Sequence, residues 1–329
     1  MIEDRKNETP ARLTFGIYPG SGVGVDPGSG IILGKPGEFS QIVAALDSLC
    51  PPERPFLVRG YLHYTGAGGR NHLTPSRLEQ YVKQGRKIDL ALCYRPAKAD
   101  LMDWADFIRA ILREYGPYLA KIQITEEPNN PHTATGGDGS SPNVIQAIFT
   151  GVLAAKEEIS RLGYAIQVGF NATPSFDPED IFWNQIGRSS SPDFVAALDY
   201  VGLDFYPDVF RPLPPGLSLS DAVTAVLTHF RMKNLANGKI PATVPIHITE
   251  NGWPTSATRT PERQAVVVEE VIRTIAGAAP IINITHYEFF NLRDADSADP
   301  GFQFGLMRDN YSPKPAFSIY RKLIEKFSS

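Results

Sequence analysis

Eight apolar runs recur along the chain, each bounded by proline, glycine or charged residues. They are RLTFGIYPG at 12–20, PFLVRGYLHY at 55–64, KIDLALCYRP at 87–96 and AKIQITEEPN at 120–129. The second half adds AIQVGFNATP at 165–174, LDYVGLDFYP at 198–207, VPIHITENGWP at 244–254 and NITHYEFFNLRD at 283–294. The runs are near-continuous rather than alternating, as in parallel strands covered on both faces. Helix-like stretches separate them and carry start and stop signals. Thr74-Pro75 opens a helix over 75–86, Asp100 caps one over 101–115 with Gly116 behind it, Ser141-Pro142 opens one that ends at Gly163, and Thr260-Pro261 opens one over 261–277. Further helices are predicted near 38–49, 178–187, 220–236 and 314–327.

Strands alternating with helices in this number predict a (β/α)8 barrel, the TIM-barrel form of the α/β class. It is expected to fill residues 1–329 as a single domain, with 1–11 as an N-terminal extension. A doubly wound sheet would need a glycine fingerprint in its first strand-to-helix turn. The segment GSGVGVDPGSG at 20–30 lacks the G-x-G-x-x-G spacing, and no Lys-Ser/Thr follows it. It reads better as a long first loop at a barrel mouth. RPLPPG at 211–216 reads as a semi-rigid loop after the sixth strand.

Composition narrows the partners. The chain has 329 residues, 42% hydrophobic and 21% charged, which is ordinary for a globular protein. A net charge of -4 and a pI near 5.9 give no reason to expect nucleic acid or an anionic membrane as partner. No apolar stretch is long enough to span a bilayer. Cys50 and Cys93 read as two buried thiols, too few for a disulfide framework or a zinc site. The start, MIEDRKNETPARL, lacks the apolar core of a signal peptide, so a cytoplasmic location is expected; a secreted one would need a leader outside this sequence. The sequon at Asn7 matters only in a glycosylating host.

Active sites of such barrels sit at the carboxyl ends of the strands. The fourth run ends in Glu126-Glu127 and the seventh in Glu250, and the other runs read as lacking a terminal carboxylate. Two glutamates facing each other across a pocket are the minimal apparatus of glycoside hydrolysis. One attacks the anomeric carbon as an anion, while the other stays protonated and donates to the leaving oxygen.

On these residues the sequence resembles the clan A glycoside hydrolases, similar to the family 5 and family 39 types. ITEEPN resembles their acid/base motif, an Asn-Glu-Pro triplet ending strand four. HITENGWP resembles their nucleophile motif ending strand seven. VGLDFYP and FLVRGY resemble strands six and two. The resemblance implies a (β/α)8 fold and a retaining double-displacement mechanism on a β-linked carbohydrate, without metal or organic cofactor. It implies that Glu127 is the acid/base and Glu250 the nucleophile, that Tyr206 orients Glu250, and that Arg59 lowers the pKa of Glu250. Glu126 stands where the clan has asparagine. An ionised glutamate only accepts hydrogen bonds, so it would take one from the sugar 2-hydroxyl or pair with a cationic substrate group. Its charge would also raise the pKa of Glu127.

Tyr18, Tyr61, His63, Tyr94, Asn171, Trp253 and Phe290 are softer candidates for the walls of a sugar subsite, Trp253 foremost because it follows Glu250 on a loop. Phe289 or Phe290 stands where the clan often has a tryptophan. His63 and His132 show no metal-ligand spacing. Arg293, Asp294 and Asp296 read as a salt network in preference to a sugar site. A transglycosylase on the same scaffold and a non-catalytic carbohydrate-binding barrel are the alternatives. An aldolase-like barrel would want a lysine at a strand end, and the eight runs show none. The sugar and the oligomeric state stay open.

Overall fold

A computed structural model of the protein describes residues 12–26, 30–50, 54–67, 72–83 and 85–329. Asn7 and the expected extension over 1–11 lie outside these residues. All eight apolar runs form strands: β1 (Thr14–Tyr18), β2 (Phe56–Tyr64), β3 (Arg86–Tyr94), β4 (Leu119–Ile124), β5 (Gln167–Ala172), β6 (Tyr200–Asp204), β7 (Ile246–Asn251) and β8 (Ile284–Phe290). Each pairs in parallel with the next, and β8 pairs with β1, so the sheet closes into a (β/α)8 barrel.

The helices cover the outside: α1 (Phe39–Leu49), α2 (Leu101–Tyr115), α3 (Val144–Leu162), α4 (Ile181–Ser189), α5 (Pro192–Ala197), α6 (Leu219–His229), α7 (Pro261–Ile282) and α8 (Pro315–Phe327). Asp100 and Thr260 cap as the sequence announces, whereas α3 starts at Val144 behind Asn143 (φ 56°) and not at Ser141-Pro142. Asp100 accepts from the backbone N–H groups of Met102 and Asp103 at 3.1 and 3.0 Å, and Thr260 accepts from that of Arg263 at 3.2 Å. Gly163 ends α3 with a φ of 71°, a left-handed cap that suits glycine. The apolar core lies between helices and sheet; Trp104, Ile108, Phe170 and Trp183 are fully buried there.

Three expectations fail locally. The described residues of 75–86 form no α-helix. A short strand, His72–Thr74, pairs antiparallel with the upper half of β2, and a single 3-10 turn, Leu78–Tyr81, follows. Arg77 has a φ of 57°, which a continuous right-handed helix does not accommodate. The glycine-rich segment is not a plain loop either. Gly22–Asp26 and Gly30–Leu33 pair as an antiparallel hairpin, and 27–29 lie outside the described residues. Finally, the helix over 220–236 is interrupted by a π turn at Phe230–Asn234. No described helix is long and apolar enough to cross a membrane.

Candidate active site at the carboxyl end of the barrel

Side chains alternate along each strand, so every second residue faces the barrel axis. On β2 these are Arg59, Tyr61 and His63, in register with Asp89, Ala91 and Cys93 on β3. The inward positions are polar and form layers. In the lower layer Lys121 donates to Glu288 at 2.7 Å and to Asp89 at 3.2 Å, while Arg59 donates to Asp89 at 2.7 Å.

In the upper layer β4 ends abruptly. After Ile124 the chain turns through Thr125 (φ 68°) and Glu127 (φ 40°), left-handed conformations that cost a non-glycine residue, above all a β-branched one. Buried Asp138 clamps this turn. It accepts from the backbone N–H groups of Glu126 (2.8 Å) and Tyr94 (2.6 Å) and from Arg95 Nε (2.9 Å). The two adjacent glutamates therefore meet different partners. Glu126 accepts from Gln123 Nε2 (2.6 Å), Arg59 (3.3 Å) and Asn171 Nδ2 (3.2 Å). Glu127 accepts from Asn130 Nδ2 at 2.6 Å, and its backbone N–H donates to Asn171 Oδ1 at 2.8 Å.

Glu250 sits beside Asp204 in the register of β6 and β7, where a shift between Ile248 and Glu250 breaks strict alternation. Such an irregularity re-aims side chains. Here Thr249 and Glu250 both reach the inner face. Tyr61 donates to Glu250 Oε1, and Tyr206 donates to Oε2 at 2.6 Å. Arg59 comes no nearer to Glu250 than 3.9 Å, and its Nε donates to Tyr61 at 2.8 Å. The expected support of Glu250 by Arg59 thus runs mainly through the Tyr61 hydroxyl.

The sequence reading missed Asp204, the last residue of β6. Oxygens of Glu126, Asp204 and Glu250 lie within 4.8 Å of one another. This spacing would suit a shared cation, yet each of the six oxygens already accepts from a protein donor: Asn171 and Thr249 on Asp204, the two tyrosines on Glu250, and Gln123, Arg59 and Asn171 on Glu126. Two unit charges at that separation repel by about 3 kcal/mol at an effective dielectric of about 20. Burial and that repulsion push carboxyl pKa values up. Asp204 rises to about 7, chiefly through burial and then Glu250. Glu127 rises well above the carboxylate range through burial, then Asp204 and Glu250. Glu126 is not a leading cause, contrary to expectation. Glu126 itself is pushed up by burial, then Asp204 and Glu250.

Exposure separates the carboxyls. Glu127 and Glu250 are each 8% exposed, against 4% for Glu126 and 1% for Asp204. Both oxygens of Glu126 accept from protein donors.

Aromatic rings rim the mouth. Phe290 stacks on Tyr18 with centroids 5.3 Å apart, and Phe304 meets both Phe290 and Tyr206 edge-on. Phe210 joins Tyr206 from the surface. Phe304 and Phe210 come from loops that the strand pattern does not reach. Phe289 faces the helices, packing on Tyr320. Tyr94 also faces outward, against Tyr64 and Trp104, so it walls no subsite. Trp253 is 3% exposed, lies in the apolar core and carries the Arg259 guanidinium 5.2 Å above its ring, which leaves no free face for a sugar. His63 lies on the inner face of β2 against Arg95, and burial followed by that charge lowers its pKa to about 3. Asn171 is fully buried and links Glu126, Asp204 and the Glu127 backbone. His132 is exposed. Of the surface salt network expected on the last loop, Asp296 pairs with exposed Lys35 at 3.0 Å, whereas Asp294 is buried against Lys314 at 2.7 Å and Arg293 donates to backbone carbonyls. No disulfide joins Cys50 and Cys93.

No known family profile matches the chain. One curated relative, a probable glucan endo-1,3-β-glucosidase of Aspergillus niger, is 23% identical over 137 residues, 42% of this chain; the aligned stretch spans only 28% of that relative's length. Solved structures match over nearly the whole chain. A family 1 β-glucosidase from Thermotoga maritima superposes with a TM-score of 0.63 at 13% identity, covering 97% of this chain and 99% of its own. A family 39 glycoside hydrolase from Bacteroides cellulosilyticus gives 0.61 at 14% identity, covering 95% and 63%. A fungal β-1,4-galactanase gives 0.60 at 11% identity, covering 95% and 100%. At these identities the likeness is one of fold: the chain shares its (β/α)8 architecture with glycoside hydrolases.

Proposed function

We propose that the chain is a single catalytic domain that hydrolyses a β-linked glycoside with retention of configuration. The observation that carries this reading is the pairing at the barrel mouth: Glu250, gripped on both oxygens by Tyr61 and Tyr206, beside Glu127, whose pKa burial and neighbouring carboxyls raise. One is arranged as a nucleophile and the other as an acid. The structural likeness to β-glycosidases and the curated glucanase relative support a β-linked carbohydrate substrate.

In the first step a Glu250 oxygen bonds to the anomeric carbon. The bond to the leaving oxygen breaks as that oxygen takes the Glu127 proton. In the second step Glu127 removes a proton from water, the water oxygen bonds to the same carbon, and the ester to Glu250 breaks. Two inversions give net retention. Tyr61 and Tyr206 orient the nucleophile, and the half-buried rings of Phe290 and Phe304 offer apolar faces to the sugar.

A panel of β-linked oligosaccharides and aryl glycosides tests the reading, with the anomer formed first followed by NMR. Release of the β-anomer by the wild type, and none by Glu250→Gln, is the expected result. Release of the α-anomer, or turnover that survives in Glu250→Gln, would overturn it.

A further inference from the structure

Glu126 and Asp204 are both buried, and Asn171 donates to each. One oxygen of each, together with one of Glu250, lies within 4.8 Å of the others. Carboxylates packed this closely out of water repel one another unless a proton neutralises one of them. The side-chain donors around the pair are amides, Arg59 and one hydroxyl: Asn171 donates to both members, Gln123 and Arg59 to Glu126, and Thr249 to Asp204. Arg59 is committed elsewhere as well, to Asp89 at 2.7 Å and to Tyr61 at 2.8 Å.

The surrounding charges leave the same deficit from every side. From β2 come Arg59 and Tyr61, and from β7 comes Glu250. The turn after β4 brings Glu127 and Asp138, and the loop after β6 brings Tyr206. Below them lie Asp89, Lys121 and Glu288, already paired among themselves. Arg95 is taken up by Asp138 at 2.9 Å, so among the described residues Arg59 is the one guanidinium left for Glu126, Asp204 and Glu250.

The consequence reaches the acid. Asn171 turns its Nδ2 toward the two carboxyls, so its Oδ1 faces the other way and accepts the backbone N–H of Glu127 at 2.8 Å. That bond holds Glu127 in its left-handed conformation (φ 40°).

We propose that Glu126 and Asp204 are a positioning pair for the glycosidase: they hold one proton between them, and by accepting jointly from Asn171 they fix the amide that anchors Glu127. The role in turnover rests on the function proposed above; the shared proton does not. Glu126 thus takes the place of an amide by carrying a proton, and it touches no substrate. Raised pKa values of both members agree with this.

Infrared difference spectroscopy tests the proton without any need for activity. The wild type minus Glu126→Gln, and minus Asp204→Asn, should each show loss of one protonated-carboxyl band that shifts in deuterium oxide and fades as the pH rises through neutrality. Spectra in which both variants keep every such band of the wild type would overturn the shared proton. The positioning role is read from kcat/KM. Glu126→Gln, an amide that mimics the protonated acid, should lower it by less than about tenfold and move the alkaline limb of its pH profile upward. Glu126→Ala should lower it by more than 100-fold. An unmoved limb, or equal losses in the two variants, would reduce Glu126 to packing. A wild type inactive on every glycoside would refute the proposed function and leave the spectroscopic result standing.

Discussion

Two carboxyl pairs lie one above the other inside this barrel, Asp89 with Glu288 and Glu126 with Asp204, and they are held in opposite ways. The lower pair has cations of its own. Arg59 and Lys121 both donate to Asp89, and Lys121 donates to Glu288 as well. The result is an unequal division. Asp89 drops to about 2: burial opposes its charge, and Lys121 and Arg59 outweigh that cost. Glu288 rises to about 8, chiefly through burial and then the Asp89 charge. Asp89 Oδ1 and Glu288 Oε2 have no donor of their own, and a protonated Glu288, as its raised pKa favours, would supply one. The upper pair is served by amides, a hydroxyl and one shared guanidinium, and both its members are pushed up. Equal burial therefore yields a fixed ion pair with a buried acid below, and a set of proton-holding carboxyls above. The lower layer is built for stability, and the upper layer is built around the two carboxyls that keep some exposure, Glu127 and Glu250.

The sharpest way to break this contrast is to remove one carboxylate from each layer. Glu250→Gln should cost about 10⁴-fold or more in kcat/KM while its urea midpoint stays near that of the wild type. Asp89→Asn should do the reverse. It removes the anion that Arg59 and Lys121 share, leaving Lys121 on Glu288 and Arg59 on Glu126, and breaking a buried pair costs about 3–5 kcal/mol, so the midpoint in urea should fall steeply. Wild-type stability in the Asp89 variant would mean that the lower layer is not a structural ion pair.

The pH dependence of stability should separate the layers next. Asp89, with its pKa lowered in the folded state, contributes stability that is present above its ordinary value of 3.8 and is lost as the pH falls toward about 2. Asp204, with its pKa raised, works in the other direction. Its contribution is full below 3.8 and disappears as the pH rises toward about 7, a loss of up to about 4 kcal/mol. Asp204→Asn should therefore flatten the decline in unfolding free energy between pH 4 and 7. An unchanged slope in chemical denaturation would refute the upper-layer assignment. Smaller effects remain. Tyr206→Phe removes one of two hydroxyls on Glu250 and should lower kcat/KM by about tenfold, the worth of one hydrogen bond to a charged group. Glu288→Gln replaces an acid protonated at pH 7 with its isostere and should shift stability by less than about 1 kcal/mol.

How much of this was legible depended on the range of the interaction. Parallel strands announce themselves as apolar runs, so all eight were readable, and Glu127 and Glu250 stood out at their ends. Helix caps were readable because Asp100 and Thr260 act on their own neighbours. The 75–86 stretch carried the opening signal of a helix, but the left-handed Arg77 opens only a single 3-10 turn. The glycine-rich segment concealed a hairpin, although the G-V-G-V alternation is a strand signal. Asp204 was hidden in plain sight. In LDFYP the tyrosine drew attention, and only the register of β6 with β7 sets Asp204 beside Glu250. Glu126 was noticed as an oddity, but its partners arrive from strands two and five, which no local pattern relates. Trp253 failed for the converse reason: its place after Glu250 suggested the site, and its packing under Arg259 took it into the core.

The central claim is that Glu250 forms a covalent bond to the sugar. A 2-deoxy-2-fluoro glycoside with a good leaving group slows the second step more than the first, so the intermediate should accumulate. Mass spectrometry of the digested protein should then find one fluorosugar, attached to the peptide that carries Glu250. Turnover of substrates without any such adduct, or an adduct on another residue, would contradict the account.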